Sequence, residues 1–256
     1  DNKLMKNITI RAKQKPQRVV FAEADHYKIL KAAQQVKDEG IAIPILLGDT
    51  EKIKTLINDN NLDLKDIAII DIRQRNFDEK RNYFGDLFFE KRKRRGFTLF
   101  EARKAMLERN YYGAMMVETG EADAMISGLT RKYPDTIRPS LQIIGVQKEI
   151  GMVAGMYIMV TKKGPVFFAD TTINTNPTVD QLVKIVLLTA NAVKLMNIVP
   201  RIALLSYSNF GSVDNAETRV LREAIAILHH EHPDLIVDGE VQANIALNKE
   251  IMEEQF

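Results

Sequence analysis

Short apolar, β-branched segments alternate with helical stretches along nearly the whole chain. That rhythm restricts the sequence to an α/β fold built on mainly parallel sheets. Residues Arg18–Ala22, Ile41–Leu47 and Asp66–Ile72 read as buried strands. Between them, His26–Glu39 places Ile29, Leu30, Ala33 and Val36 at helical spacing and stops at Gly40. A shorter helix is predicted over Thr50–Asn60 and a charged one over Asp78–Arg95. After Gly96, Thr98 and Glu101 form a capping box that opens the next helix. A strand at Asp123–Ser127 then leads through a polar loop, Leu129–Asp135, into a helix from Thr136. Strands at Gly151–Thr161 and Val166–Ala169, joined through Lys162–Pro165, predict a hairpin that breaks the parallel rhythm. The sheets are therefore expected to be partly mixed, with one α/β lobe over 1–145 and a second over 146–256. The second lobe continues with a helix at Thr178–Met196, opened by Thr178 and Gln181. A strand at Arg201–Tyr207, a helix at Asp214–His230 and a strand at Leu235–Val237 follow.

Composition narrows the function classes. The chain has 256 residues and a net charge of +2, so a wholly basic nucleic-acid binder is not expected. Apolar stretches break well short of the roughly 20 residues a membrane helix needs, and no basic-then-apolar leader is visible. Cysteine is absent. That removes disulfides, thiolate metal sites and Cys nucleophiles, and fits a reducing, cytoplasmic setting. The start at Asp1 and the helical look of the stretch ending at Phe256 suggest an excised segment.

In α/β sheets, ligands gather beyond the carboxyl ends of the strands. There the chain places Glu23, Asp25 and His26, then Thr130, Arg131 and Arg138, then Asp170 and Asn174, then Ser206, Ser208 and Ser212. Hydroxyl, amide and guanidinium groups suit phosphate oxygens, although loops are polar for other reasons too. In the basic run Lys91–Arg95, helical spacing lets only one or two side chains face a cleft. Asn209–Ser212 before a helix has the look of a phosphate cradle. Neither a Walker A loop nor a G-x-G-x-x-G fingerprint is present. His229, His230 and His232 crowd a helix end and read more simply as caps than as a metal site, and Asp25 reads as an N-cap beside His26. Met115, Met116, Met152, Met156 and Met159 read as core.

Several of these motifs occur together in one family. Glu121–Gly128 (EADAMISG), Asp135–Ile144 (DTIRPSLQII), Phe168–Pro177 (FADTTINTNP), Pro200–Ser208 (PRIALLSYS) and Asp238–Gln242 (DGEVQ) resemble the phosphate acetyl/butyryltransferase family, or phosphotransacetylases, in order and spacing. Gly128–Tyr133 (GLTRKY), Ser206–Gly211 and Ala243–Asn248 are most similar to the phosphotransacetylase-like domain fused behind bacterial NADP-dependent malic enzymes.

The resemblance implies two three-layer α/β/α lobes with a cleft between them, and a homodimer or larger homo-oligomer. It implies acetyl-CoA or another acyl-CoA as ligand, with phosphate or acyl phosphate. Arg92 and Arg138 match the family's phosphate-binding arginines. Thr130, Arg131, Asp170, Asn174, Ser206 and Ser208 join them as candidate binding residues. The family's catalytic Ser-Arg pair and Asp are expected beyond residue 256, so no catalytic residue is assigned here. No cofactor or metal is expected on this segment. NADP and Mg or Mn would belong to an upstream malic enzyme domain. In such fusions the resembling domain is expected to sense acetyl-CoA; an active phosphate acyltransferase is the alternative.

Overall fold

The structure, a computed structural model, describes residues 3–256. The chain divides into two compact units, Met5–Gly145 and Val146–Phe256.

The first unit opens with α1 (Lys3–Gln14), followed by β1 (Gln17–Phe21), α2 (Tyr27–Asp38), β2 (Ala42–Leu47), α3 (Thr50–Asp59) and β3 (Ala68–Ile70). The charged stretch folds as α4 (Asp78–Arg92) and tightens into a 3-10 turn over Lys93–Arg95. It ends at Gly96, whose φ of 88° is the left-handed stop that a glycine adopts without strain. Next come α5 (Leu99–Ala105), α6 (Arg109–Glu118), β4 (Ala124–Ile126) and α7 (Tyr133–Ile143). The Thr98–Glu101 capping box forms as the sequence predicts. Strands β3-β2-β1-β4 make one parallel sheet. One face is covered by Phe84, Phe88, Tyr112 and Met115, the other by Leu30, Leu46, Ile53 and Leu64, all fully or nearly fully buried.

The first residue pair of this sheet is tied by charge. Asp123 accepts from the Arg18 backbone N–H at 2.8 Å and from its Nε at 3.0 Å. The Arg18 hydrogen bonds hold the Asp123 carboxyl down at about 2. Because the folded value lies below the ordinary one, this pair stabilises the fold fully above about 3.8 and loses its effect as pH falls through about 2. We expect Asp123→Asn to flatten the acid limb of a urea-midpoint profile in that window and to leave its shape near neutrality unchanged. A profile that keeps its full acid slope would show that the pair does not form.

The second unit contains the predicted hairpin, β5 (Met156–Thr161) with β6 (Gly164–Ala169), paired antiparallel. It continues with α8 (Val179–Leu195), β7 (Arg201–Leu205), α9 (Ala216–Glu231) and β8 (Ile236–Val241). Two short helices end it, α10 (Ala243–Ala246) and α11 (Lys249–Gln255). The Thr178–Gln181 capping box also forms. Strands β7 and β8 pair in parallel, and Val183, Val186, Ala224 and Leu228 pack against them. An apolar trench of about 640 Å³ runs between β6 and β7, with Leu182 and Val186 of α8 on its wall.

The strand assigned to Gly151–Thr161 begins only at Met156. Met159 is 48 % exposed, so it is not core, whereas Met115 and Met116 are. A solvent-facing hairpin tolerates apolar alternation that mimics a buried strand.

Candidate functional site

The connections of the first sheet point to one place. The chain runs from β1 outward through β2 to β3, then returns to lay β4 on the opposite side of β1. The crevice beyond the carboxyl ends of β1 and β4 is the topological switch point, where α/β sheets bind ligands. A cleft of about 550 Å³ lies among the loops there. Lys52 follows β2, Arg73 follows β3, Arg109 opens α6 and Arg131 follows β4; all four line the cleft with His26. Glu23, Asp25 and Glu108 supply the opposing charge.

Each acid is engaged by the protein itself. Arg109 forks onto Asp25 with hydrogen bonds of 2.6 and 2.9 Å, and Lys52 lies 3.8 Å from the same carboxylate. The Arg109 bonds outweigh burial, so the Asp25 carboxyl sits below its usual range. Glu108 caps the first turn of α6 through one oxygen and meets Arg131 at 3.1 Å through the other. Glu23 is 4 % exposed. It accepts from the backbone N–H groups of Gly128 (2.7 Å), Leu129 (2.8 Å) and Thr130 (2.8 Å), and from the Thr130 hydroxyl. Burial pushes the Glu23 carboxyl up, but those donors outweigh it and leave it below the ordinary value. Consecutive amides turned toward one point make an anion nest. Here the nest holds an internal carboxylate, so Thr130 organises the loop and Arg131 is the side chain the loop extends.

Arg92 ends α4 and Arg138 sits within α7, yet both act electrostatically on the same phenol, Tyr111 of α6. Burial pushes the Tyr111 hydroxyl up; Arg138 and Arg92 oppose that, and Glu108 reinforces it. The hydroxyl donates to Gln142 Oε1 at 2.7 Å. The Arg92 guanidinium stands 6.0 Å from the Phe97 ring, and its Nε is buried with no hydrogen-bond partner. The only ion pair that Arg138 makes among the described residues is a loose one with Asp135, at 3.9 Å and more than half exposed. Such a pair contributes little. The other cations of the run face outward; Lys91 pairs with Glu118 and Lys93 with Glu90. The structure thus leaves donor capacity on both guanidiniums.

The sequence profile of the family described as phosphate acetyl/butaryl transferase matches residues 3–256. The chain belongs to that family. It is 33 % identical over 255 residues to a phosphate acetyltransferase of Clostridium acetobutylicum, covering 97 % of this chain and 76 % of that protein. It is 32 % identical over 256 residues to the NADP-dependent malic enzyme of Escherichia coli K12, covering 100 % of this chain and 34 % of the relative. A phosphotransacetylase structure from Streptococcus pyogenes superposes with a TM-score of 0.85 at 32 % identity, over 98 % of this chain and 75 % of that one. The chain therefore spans about three quarters of the transferases and about a third of the malic enzyme.

In this phosphate acetyl/butaryl transferase family member, the remaining candidates lie in the second unit and form two local clusters. Asp170 follows β6 and accepts from the N–H groups of Gly155 (2.9 Å), Thr172 (3.1 Å), Ile173 (3.2 Å) and Asn174 (2.6 Å). Asn174 donates its side-chain amide to Asp170 and to Val153 O at 2.9 Å. Both side chains therefore shape the turn after β6. Ser206 accepts from Ser208 N–H at 3.2 Å, and the fully buried Ser208 donates to Glu240 at 2.9 Å. The stretch Asn209–Ser212 is not a free cradle. Gly211 N–H donates to Glu240 at 2.8 Å, and α9 begins four residues later behind its own cap, Asn215.

Two smaller expectations are corrected. His26, not Asp25, caps α2, through Nδ1 accepting from Lys28 N–H, because Asp25 is held by Arg109. His229 reaches the carbonyl of Val237 in β8 rather than its own helix end. Among the described residues, no cluster of three or more His, Cys, Asp or Glu side chains is placed to hold a metal ion.

Proposed function

We propose that this chain is the acyl-CoA-binding, phosphotransacetylase-like domain of an NADP-dependent malic enzyme, and that it senses acetyl-CoA. The observation that carries ligand binding is the buried Arg92 Nε, which has no hydrogen-bond partner; Arg138, held only by a loose ion pair with Asp135, is the second guanidinium of this reading. A phosphate or acyl phosphate accepts charge-assisted bonds from two such groups. The alignment over the full 256 residues with a malic enzyme supports the parent assignment. In this reading malate, NADP and a divalent cation are handled by an upstream domain.

The second reading, an active phosphate acyltransferase moving an acyl group between phosphate and the CoA thiol, draws on the 33 % identity to a phosphate acetyltransferase. Both readings require Arg138. Losing one hydrogen bond to a charged group costs about 1.5–3 kcal/mol, so Arg138→Ala is expected to weaken CoA binding roughly 10- to 100-fold by calorimetry. The readings separate in the complete protein. Sensing predicts that acetyl-CoA changes the rate or malate affinity of the intact enzyme and that Arg138→Ala abolishes the response. Transfer predicts thioester from acetyl phosphate and CoA. An intact malic enzyme indifferent to acetyl-CoA removes the first reading.

A further inference from the structure

Among the described residues only two carboxylates are buried, Glu23 at 4 % and Glu240 at 0 % exposure. They lie in different units and hold their surroundings in the same way. Glu23 follows β1 and binds the loop that leaves the neighbouring parallel strand β4. Glu240 lies in β8 and binds the loop that leaves the neighbouring parallel strand β7. It accepts from Ser208 Oγ at 2.9 Å, Gly211 N–H at 2.8 Å and Arg222 at 3.2 Å. Neither acid improves the core around it. A buried charge is costly to desolvate, and an apolar side chain of similar volume would pack at least as well. What an apolar residue cannot do is draw several consecutive loop amides to one point. Both loops lie beyond the carboxyl ends of strands, where this fold class binds ligands.

We infer that Glu23 is a positioning residue for the ligand site, fixing the loop Gly128–Arg131 so that Arg131 is presented to the cleft, and that Glu240 fixes the loop Ser206–Ser212 within its own unit. The inference rests on the acyl-CoA reading for the identity of the ligand, but the clamp itself does not. Gly128 shows how the geometry is reached. Its φ of 118° turns the loop so that the amides of residues 128–130 face Glu23. Gly128 and Leu129 donate to Oε2, and Thr130 donates both its N–H and its hydroxyl to Oε1, which leaves the side chain of Arg131 beyond the clamp, paired with Glu108 at 3.1 Å.

The test combines amide hydrogen exchange with calorimetry, using CoA as the probe. In the unmodified chain, the amides of 128–130 and Gly211 should exchange at least tenfold more slowly than those of exposed loops, although they lie outside helices and strands. Fast exchange at those amides overturns the inference without any variant. In Glu23→Gln one acceptor oxygen is lost. Exchange at 128–130 should rise at least tenfold while Gly211 is unmoved, and the CoA dissociation constant should increase on the order of tenfold. Every bond to the Glu240 side chain is made through Oε1, so Glu240→Gln can retain them; Glu240→Met removes the acceptor and should do the converse for Gly211. A merely structural role would raise exchange throughout the unit. Unchanged local exchange and CoA affinity within twofold in Glu23→Gln would falsify the assignment. Should Glu23→Gln not fold, Thr130→Val removes only the hydroxyl bond and is read in the same way. Failure of the unmodified chain to bind CoA overturns the functional reading instead, and the clamp then stands or falls on exchange alone.

Discussion

Replacing Phe88 by alanine is expected to cost about 3–5 kcal/mol, the range for emptying a fully buried aromatic site. Phe88 is completely buried in the cluster formed by α4, α6 and the first sheet. Its ring meets Phe97 edge-on at 5.0 Å and Tyr111 at 5.4 Å between centroids. Backbone and helix contacts surround it, so the site cannot collapse without moving α4 against α6. A domain is stable by only about 5–15 kcal/mol, so this one truncation removes a large fraction of the total. The effect extends to chemistry. Phe97 lies beneath the Arg92 guanidinium, and Tyr111 is the phenol on which Arg92 and Arg138 both act electrostatically. Phe88→Ala should therefore lower the urea midpoint with little change in slope, and weaken CoA binding at temperatures where the chain remains folded. A loss under 1 kcal/mol would mean that the three rings are not packed as described.

One helix that supports this cluster, α6, was not read from the sequence. Over Arg109–Glu118 the sequence shows no single apolar stripe, and the structure explains why. Asn110 and every residue from Tyr112 to Met116 are buried, so α6 has no solvent face to mark its period. By contrast, α2, α8 and α9 each lie on one side of a sheet, and their spacing was legible. The Thr178–Gln181 capping box of α8 and the Gly40 stop of α2 were equally clear, because those signals act within four residues of chain; the cap of α2 was not, because Arg109 takes Asp25 from far along the sequence.

The candidate site divides along the same line. Arg92 and Arg138 came from the family resemblance, and both act electrostatically on Tyr111. Tyr111 itself, and the cations Lys52, Arg73 and Arg109, were not found. No local spacing links Asp25 to Arg109 or Glu23 to Thr130, which are 84 and 107 residues apart. Such pairings exist only once the parallel sheet brings the strand ends together. Loop polarity correctly marked where these groups would gather. It could not show that Thr130, Asp170, Asn174 and Ser208 direct their hydrogen bonds inward, to the protein's own loops.

Strand β8 shows the same limit and supplies the second large effect. The strand expected over Leu235–Val237 continues to Val241. It does so through an irregularity: Leu204 pairs with Gly239 and Leu205 with Val241, leaving Glu240 over as the extra residue of a bulge. The ladder partner of Glu240 is thereby lost, and its side chain is freed to clamp the loop after β7. Gly239 makes this possible with a φ of 135°, a conformation that side chains strongly disfavour. An added Cβ would also lie 2.6 Å from Leu204 O and 3.2 Å from Leu204 N, both backbone atoms of the paired strand. Gly239→Ala gains about 0.5–1 kcal/mol from a stiffer unfolded chain. Against that stand about 1–3 kcal/mol of backbone strain and about 1–3 kcal/mol of overpacking. The clash cannot be relieved by a flexible side-chain end, so destabilisation wins, by roughly 1–5 kcal/mol. Gly40→Ala is the control, because its φ of 67° is also left-handed but no atom lies within 4 Å of the new Cβ. It should cost only the conformational part, about 1–2 kcal/mol. Equal losses in the two variants would mean that close contact with β7 contributes nothing; the expected order, with faster exchange at Gly211 only in Gly239→Ala, ties the bulge to the loop it holds.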